Sequence, residues 1–154
     1  MSLFRLSLPP ILVMSTEELH FTLYSYWRSS CSWRVRIILA LKGIKYNYVA
    51  VPLLKQMQKT DEYTEKNPLQ ELPTLVISQE GKPDIHLTQS LAIIEYLEFI
   101  RPHPSVYAYD HVVRAQVMAV ALDIVAGIQP IQNLKVLQNV EALAGAEAKA
   151  AWGK

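Results

Sequence analysis

The sequence predicts an α/β domain, with helices covering a small mixed sheet, followed by a helical segment. Three observations predict it. A short β-branched and aromatic run leads through a serine cluster into a dense apolar helix pattern that ends at Lys42-Gly43. Two further apolar runs flank Gln79-Glu80-Gly81-Lys82, a hairpin signal. Pro102 and Pro104 then break the pattern, and the chain beyond them is rich in leucine and alanine.

Taken in order, Phe21 to Tyr26 reads as a strand and Trp33 to Leu41 as a helix, with serines in front and Gly43 behind. That helix is apolar on more than one side, so it should pack between a sheet and another element. Tyr46 to Val51 reads as a second strand, and residues 52 to 72 as an irregular stretch with one short helix around Asp61 to Glu65. Thr74 to Ile77 and Ile85 to Leu87 form the hairpin arms. Ser90 to Arg101 is an amphipathic helix whose Glu95 and Glu98 are expected on its wet side. His111 to Ala126 is a strongly apolar helix that Gly127 and Pro130 should stop, and Leu134 to Trp152 is also helical. The expected division is an extension over 1–20, a sheet domain over 21–102 and a partial helical domain over 103–154.

Composition narrows the function. Basic and acidic residues number 15 and 14 and are mixed along the chain, which gives no footprint for nucleic acid or an anionic membrane. Cys31 is the single cysteine, so an intrachain disulfide is excluded and a reducing, cytoplasmic setting is expected. The four histidines lack ligand spacing, and no metal site is expected. No apolar run approaches the roughly 20 residues that span a bilayer. The first sixteen residues carry Arg5, several hydroxyls and no acid, which leaves a mitochondrial leader and a disordered tail both open.

The chemistry lies at two helix starts. Ser29-Ser30-Cys31-Ser32-Trp33-Arg34-Val35-Arg36 contains no carboxylate, and none follows before Gly43. A helix start offers free N–H groups and a favourable dipole to an anion, and a hydroxyl that donates to a thiolate lowers the thiol's pKa. A serine there also serves as a plain N-cap, and the two roles are compatible. Cys31 in the first turn is either a nucleophile for thiol exchange or a small, partly buried side chain. Thr88-Gln89-Ser90 opens a second helix with no acid until Glu95, an end suited to a carboxylate. Pro73 in Leu72-Pro73-Thr74-Leu75 removes a ladder donor at a strand start and leaves the Leu72 backbone open to an extended ligand.

Together these residues resemble the zeta class of glutathione transferases. The octapeptide from Ser29 to Arg36 is similar to that class's signature. Asn67-Pro68 with Leu72-Pro73-Thr74-Leu75, and Gln89-Ser90 with the helix after them, are similar to the glutathione site of the wider superfamily. The segment Ile128 to Asn133 looks like the zeta-class stretch after the first helix of the second domain. The resemblance implies a thioredoxin-like N-terminal domain and an all-helical second domain, incomplete here, usually in a homodimer. It implies glutathione as cofactor, with Ser29 stabilising its thiolate and Ser30, Cys31, Ser32, Trp33 and Arg34 lining the site. Gln58 and the Leu72 backbone would hold its middle, with Pro73 cis. Gln89 and Ser90 would take its γ-glutamyl end, and Gln129 and Asn133 would reach the site from the second domain.

The implied activity is isomerisation of maleylacetoacetate to fumarylacetoacetate, in phenylalanine and tyrosine degradation, with transfer to small electrophiles. The thiolate adds to the cis double bond, the new single bond rotates, and elimination restores glutathione. Arg34 would contribute to the field or serve only structurally. Two departures are visible: the family shows a Gly-Gly pair where Gly127 stands alone, and its members continue well past Lys154. A Cys31-dependent thiol transferase and a silent glutathione-binding fragment are the alternative readings.

Overall fold

The computed structural model describes residues 19–152, which fall into two compact units that divide between Pro104 and Ser105. The first sixteen residues, read as either a leader or a tail, lie outside the described residues.

In the first unit, β1 (His20–Ser25) buries Phe21, Leu23 and Ser25 and leaves the alternate residues more open, the period of a strand with one face on a core. The helix α1 (Ser30–Leu41) begins three residues earlier than the apolar pattern alone marks. The cause is local. Ser29 Oγ accepts from the Ser32 N–H at 3.1 Å, so the serines are wound into the first turn. Behind it, Gly43 has φ 61, a left-handed conformation that glycine adopts without steric cost.

After β2 (Asn47–Ala50) come two single 3₁₀ turns, Leu53–Lys55 and Met57–Lys59. Neither has a sequence signature. The short helix α2 (Asp61–Thr64) is capped by Thr60 and carries Asp61 and Glu62 in its first turn. The hairpin arms β3 (Thr74–Ser78) and β4 (Ile85–Thr88) pair antiparallel, and α3 (Ser90–Ile100) follows.

The sheet order is β2-β1-β3-β4, with β1 parallel to β2 and antiparallel to β3. This is the small mixed sheet of a thioredoxin-like domain, as expected. Thr74 through Ile77 are all buried, so β3 is covered on both faces. Val35 and Leu39 of α1 and Ile93, Ile94 and Leu97 of α3 complete the core, and the two helices pack together. One expectation fails here: Glu98 is not on a wet face. Its Oε2 lies 2.6 Å from Lys42 Nζ, whose side chain is fully buried.

The second unit opens with α4 (His111–Leu122), capped by Asp110, whose Oδ1 accepts from the N–H groups of Val112 and Val113 at 2.9 Å each. The helix does not run on to Ala126. It widens after Leu122 into a π turn, Asp123–Ile128, that contains Gly127 instead of stopping at it. Pro130 then starts a 3₁₀ turn, where its missing N–H costs nothing, and α5 (Leu134–Trp152) follows with a break at Gly145 (φ 85, ψ 175).

Length and composition set one stretch of this unit apart. The helical run from His111 to Trp152 is long and apolar enough, by length and composition, to cross a membrane, with a mean hydropathy of 1.5 over its most apolar window. The sequence hides this because Pro130 and Gly145 divide it. Its exposed Val112, Val113, Val117 and Val120 form the kind of apolar stripe that helical domains bury.

Candidate active site at one end of the sheet

Strand register gathers the candidate residues of the first unit. Thr74 pairs with Tyr24 on one side and with Thr88 on the other. The start of β3, preceded by Leu72-Pro73, therefore lies between the end of β1, which leads to Ser29, and the end of β4, which leads to Gln89-Ser90. β2 runs parallel to β1 and ends at the same edge, with the Val51 N–H bonded to the Ser25 carbonyl at 2.8 Å. Both helix starts and the proline loop thus share one end of the sheet.

Ser29 is the N-cap of α1, and no acidic residue stands in that helix's first turn. As the acceptor from Ser32 N–H, its oxygen uses a lone pair and keeps its own proton for donation. Ser30 is exposed, Cys31 is half-buried at the second position of the helix, and Trp33 is 60% exposed. Ser32 is fully buried, and its Oγ has no hydrogen-bond partner among the described residues; Gln58 Oε1 is the other buried atom of this kind. Buried polar atoms are almost always paired, so these two suit a bound polar group.

At the second helix start, Ser90 is buried and accepts from Arg34 Nη1 at 2.9 Å. A guanidinium only donates, so the Ser90 O–H remains available to an acceptor such as a carboxylate. Arg34 is thus built into the site and is not a solvated surface arginine. Gln89, the N-cap of α3, makes no side-chain cap bond and has φ 65, ψ 111. That conformation is costly for any residue with a Cβ, and such strain concentrates at ligand sites. Gln89→Gly should therefore stabilise the fold by about 1 kcal/mol, seen as a higher urea midpoint.

The Leu72–Pro73 bond is cis, the isomer the resemblance implies. Among the described residues, nothing hydrogen-bonds to the Leu72 backbone. Gln129 and Asn133 belong to the second unit, where Asn133 Oδ1 accepts from the Lys135 N–H at 3.1 Å as the cap of α5.

Sequence reasoning missed Arg36. Its guanidinium donates to Ser25 Oγ at 3.1 Å and to the carbonyls of Tyr26 and Trp27 at 3.3 and 3.2 Å. It pins the β1–α1 connection and so fixes where Ser29 sits. Its place in a basic, acid-free octapeptide is the one signal that marks it.

Comparison with known proteins agrees with this fold. Residues 28–99 match the family "Glutathione S-transferase, N-terminal domain". Maleylacetoacetate isomerase of Dictyostelium discoideum is 47% identical over 133 residues, covering 82% of this chain and 57% of that protein. The Mus musculus enzyme of the same name is 47% identical over 134 residues, covering 86% of this chain and 58% of its own. Glutathione S-transferase Z1 of Arabidopsis thaliana is 44% identical, covering 90% of this chain and 60% of its own. The chain therefore spans little more than half the length of these curated relatives. A crystal structure of maleylacetoacetate isomerase from Anaeromyxobacter dehalogenans, with glutathione bound in its active site, superposes with a TM-score of 0.78 at 39% identity. It is covered over 62% of its length, and 89% of this chain is matched. By its N-terminal domain the chain belongs to the glutathione S-transferase family, and over more of its length it is similar to proteins named maleylacetoacetate isomerase or glutathione S-transferase Z1.

Proposed function

We propose that the chain binds glutathione across the two helix starts and, with the sulfur held by Ser29, isomerises maleylacetoacetate to fumarylacetoacetate. The observation that carries this reading is the Ser29 cap: its oxygen is engaged by Ser32 N–H while its proton is left for an anion at the helix start. Bound glutathione supplies a soft nucleophile that adds reversibly to a conjugated double bond. The chain's own groups do the rest. Ser29 and the first N–H groups of α1 favour the anionic sulfur. The Leu72 backbone offers strand-like pairing to the middle of the tripeptide, and Gln58 Oε1 offers an acceptor. Ser90, held by Arg34, and the α3 start take the γ-glutamyl carboxylate. Gln129 and Asn133 are proposed to face the electrophile, and a homodimer in the cytoplasm is the proposed assembly.

Calorimetric titration of the chain with glutathione, paired with an isomerase assay on maleylacetone, tests the reading. Saturable binding and glutathione-dependent turnover are expected. A folded chain that gives no glutathione heat would end the proposal.

A further inference from the structure

The loop before Pro73 is held from inside by a buried polar chain. Asn67 Nδ2 donates to the Glu71 carbonyl at 2.8 Å, and Tyr63 Oη donates to the same carbonyl at 2.6 Å. The Tyr63 hydroxyl has a single proton, so Thr74 Oγ1, 2.8 Å away, is the donor in that pair. Asn67 Oδ1 accepts in turn from the Leu69 N–H at 3.1 Å. Tyr63, Asn67 and Thr74 are all buried. Burial pushes the Tyr63 hydroxyl above the usual tyrosine range, so it keeps the proton it donates.

This is more than the turn needs, because the Gln70 N–H already closes it on the Asn67 carbonyl at 2.9 Å. What the two extra donors fix is the direction of the Glu71 carbonyl. That carbonyl and the Leu72 N–H belong to one planar trans peptide, in which they point opposite ways. A carbonyl pulled inward by two buried donors aims the Leu72 N–H outward, where nothing in the described residues meets it.

We propose that Tyr63 and Asn67, backed by Thr74, are positioning residues that aim the Leu72 N–H at the main chain of an extended peptide ligand. The proposal rests on the glutathione reading and names the part of the protein that orients the tripeptide's centre.

The test compares Tyr63→Phe, Tyr63→Phe/Thr74→Val and Asn67→Asp with the wild-type chain. Tyr63→Phe leaves the Thr74 hydroxyl buried without its acceptor, so it should lose stability. The double variant removes both polar ends and should regain most of that loss. Asn67→Asp keeps an acceptor for Leu69 but loses the donor to Glu71.

In all three, the glutathione Kd should rise about fivefold, one ordinary hydrogen bond's worth. The rate at saturating glutathione should stay within about twofold. In ¹⁵N spectra the glutathione-induced shift of the Leu72 amide should shrink, while shifts at the start of α1 persist. A folded double variant with wild-type affinity and an unchanged Leu72 shift overturns the proposal while leaving glutathione binding intact. A wild-type chain that does not bind glutathione overturns both.

Discussion

Ser29→Ala should lower kcat/KM for maleylacetone isomerisation by about a hundredfold, the scale for losing one donor aimed at a reacting anion. Two roles meet in this hydroxyl, and the variant removes both. As a cap it satisfies the Ser32 N–H, and its loss should cost about 1 kcal/mol of stability. As a donor it favours the charged form of the bound sulfur. A group that stabilises the anion lowers the thiol pKa, so removing it raises that pKa. The rising limb of the pH–rate profile should therefore move to higher pH, and ultraviolet thiolate absorbance at neutral pH should fall.

Ser29→Asp separates the two roles. Aspartate is at least as good a cap, so the unfolding midpoint should hold. A carboxylate beside a thiolate repels it, so activity should fall further than in Ser29→Ala. If Ser29→Asp keeps activity, the serine is a cap and nothing more.

That a serine of the 29–32 cluster caps the helix was legible in the sequence because capping depends on neighbours about three residues apart; which serine does so was not. β1, the hairpin and α3 were legible for a similar reason: their period and their turn residues are local properties. The irregular parts were not. The two 3₁₀ turns of residues 53–59 and the π turn after Leu122 have no residue code of their own, since each is a slight change in winding that packing decides. Glu98 shows the limit most plainly. Helical periodicity marks it as solvent-facing, and only its meeting with Lys42, 56 residues earlier in the chain, takes it out of water. Arg34 and Ser90 are likewise 56 residues apart, so the bond that joins the two helix starts could not be read from either motif alone.

Lys42→Met should destabilise the chain by about 3–5 kcal/mol, the cost of breaking a buried ion pair from one side. Methionine nearly matches the lysine stem in volume, so the loss would come from charge and hydrogen bonding and not from a cavity. Lys42 Nζ serves three acceptors: Glu98 Oε2 at 2.6 Å, the Arg101 carbonyl at 2.6 Å and the Pro104 carbonyl at 3.0 Å. The two carbonyls lie just past the end of α3. Removing the lysine leaves the Glu98 carboxylate, 12% exposed, without that cation and both carbonyls without that donor.

Lys42→Met/Glu98→Leu then apportions the loss. Apolar replacement of a buried ion pair is often neutral, so a pair acting only through charge would recover almost fully in the double variant. Here the carbonyls stay deprived, and a deficit of about 1–3 kcal/mol should remain in urea unfolding. Full recovery would show that the carbonyl bonds contribute nothing. Glutathione affinity of the folded fraction should not change in either variant, because Ser90 is held at the opposite end of α3 by Arg34. The two ends of that helix would then have separable duties, stability at the Lys42 end and ligand recognition at the Ser90 end.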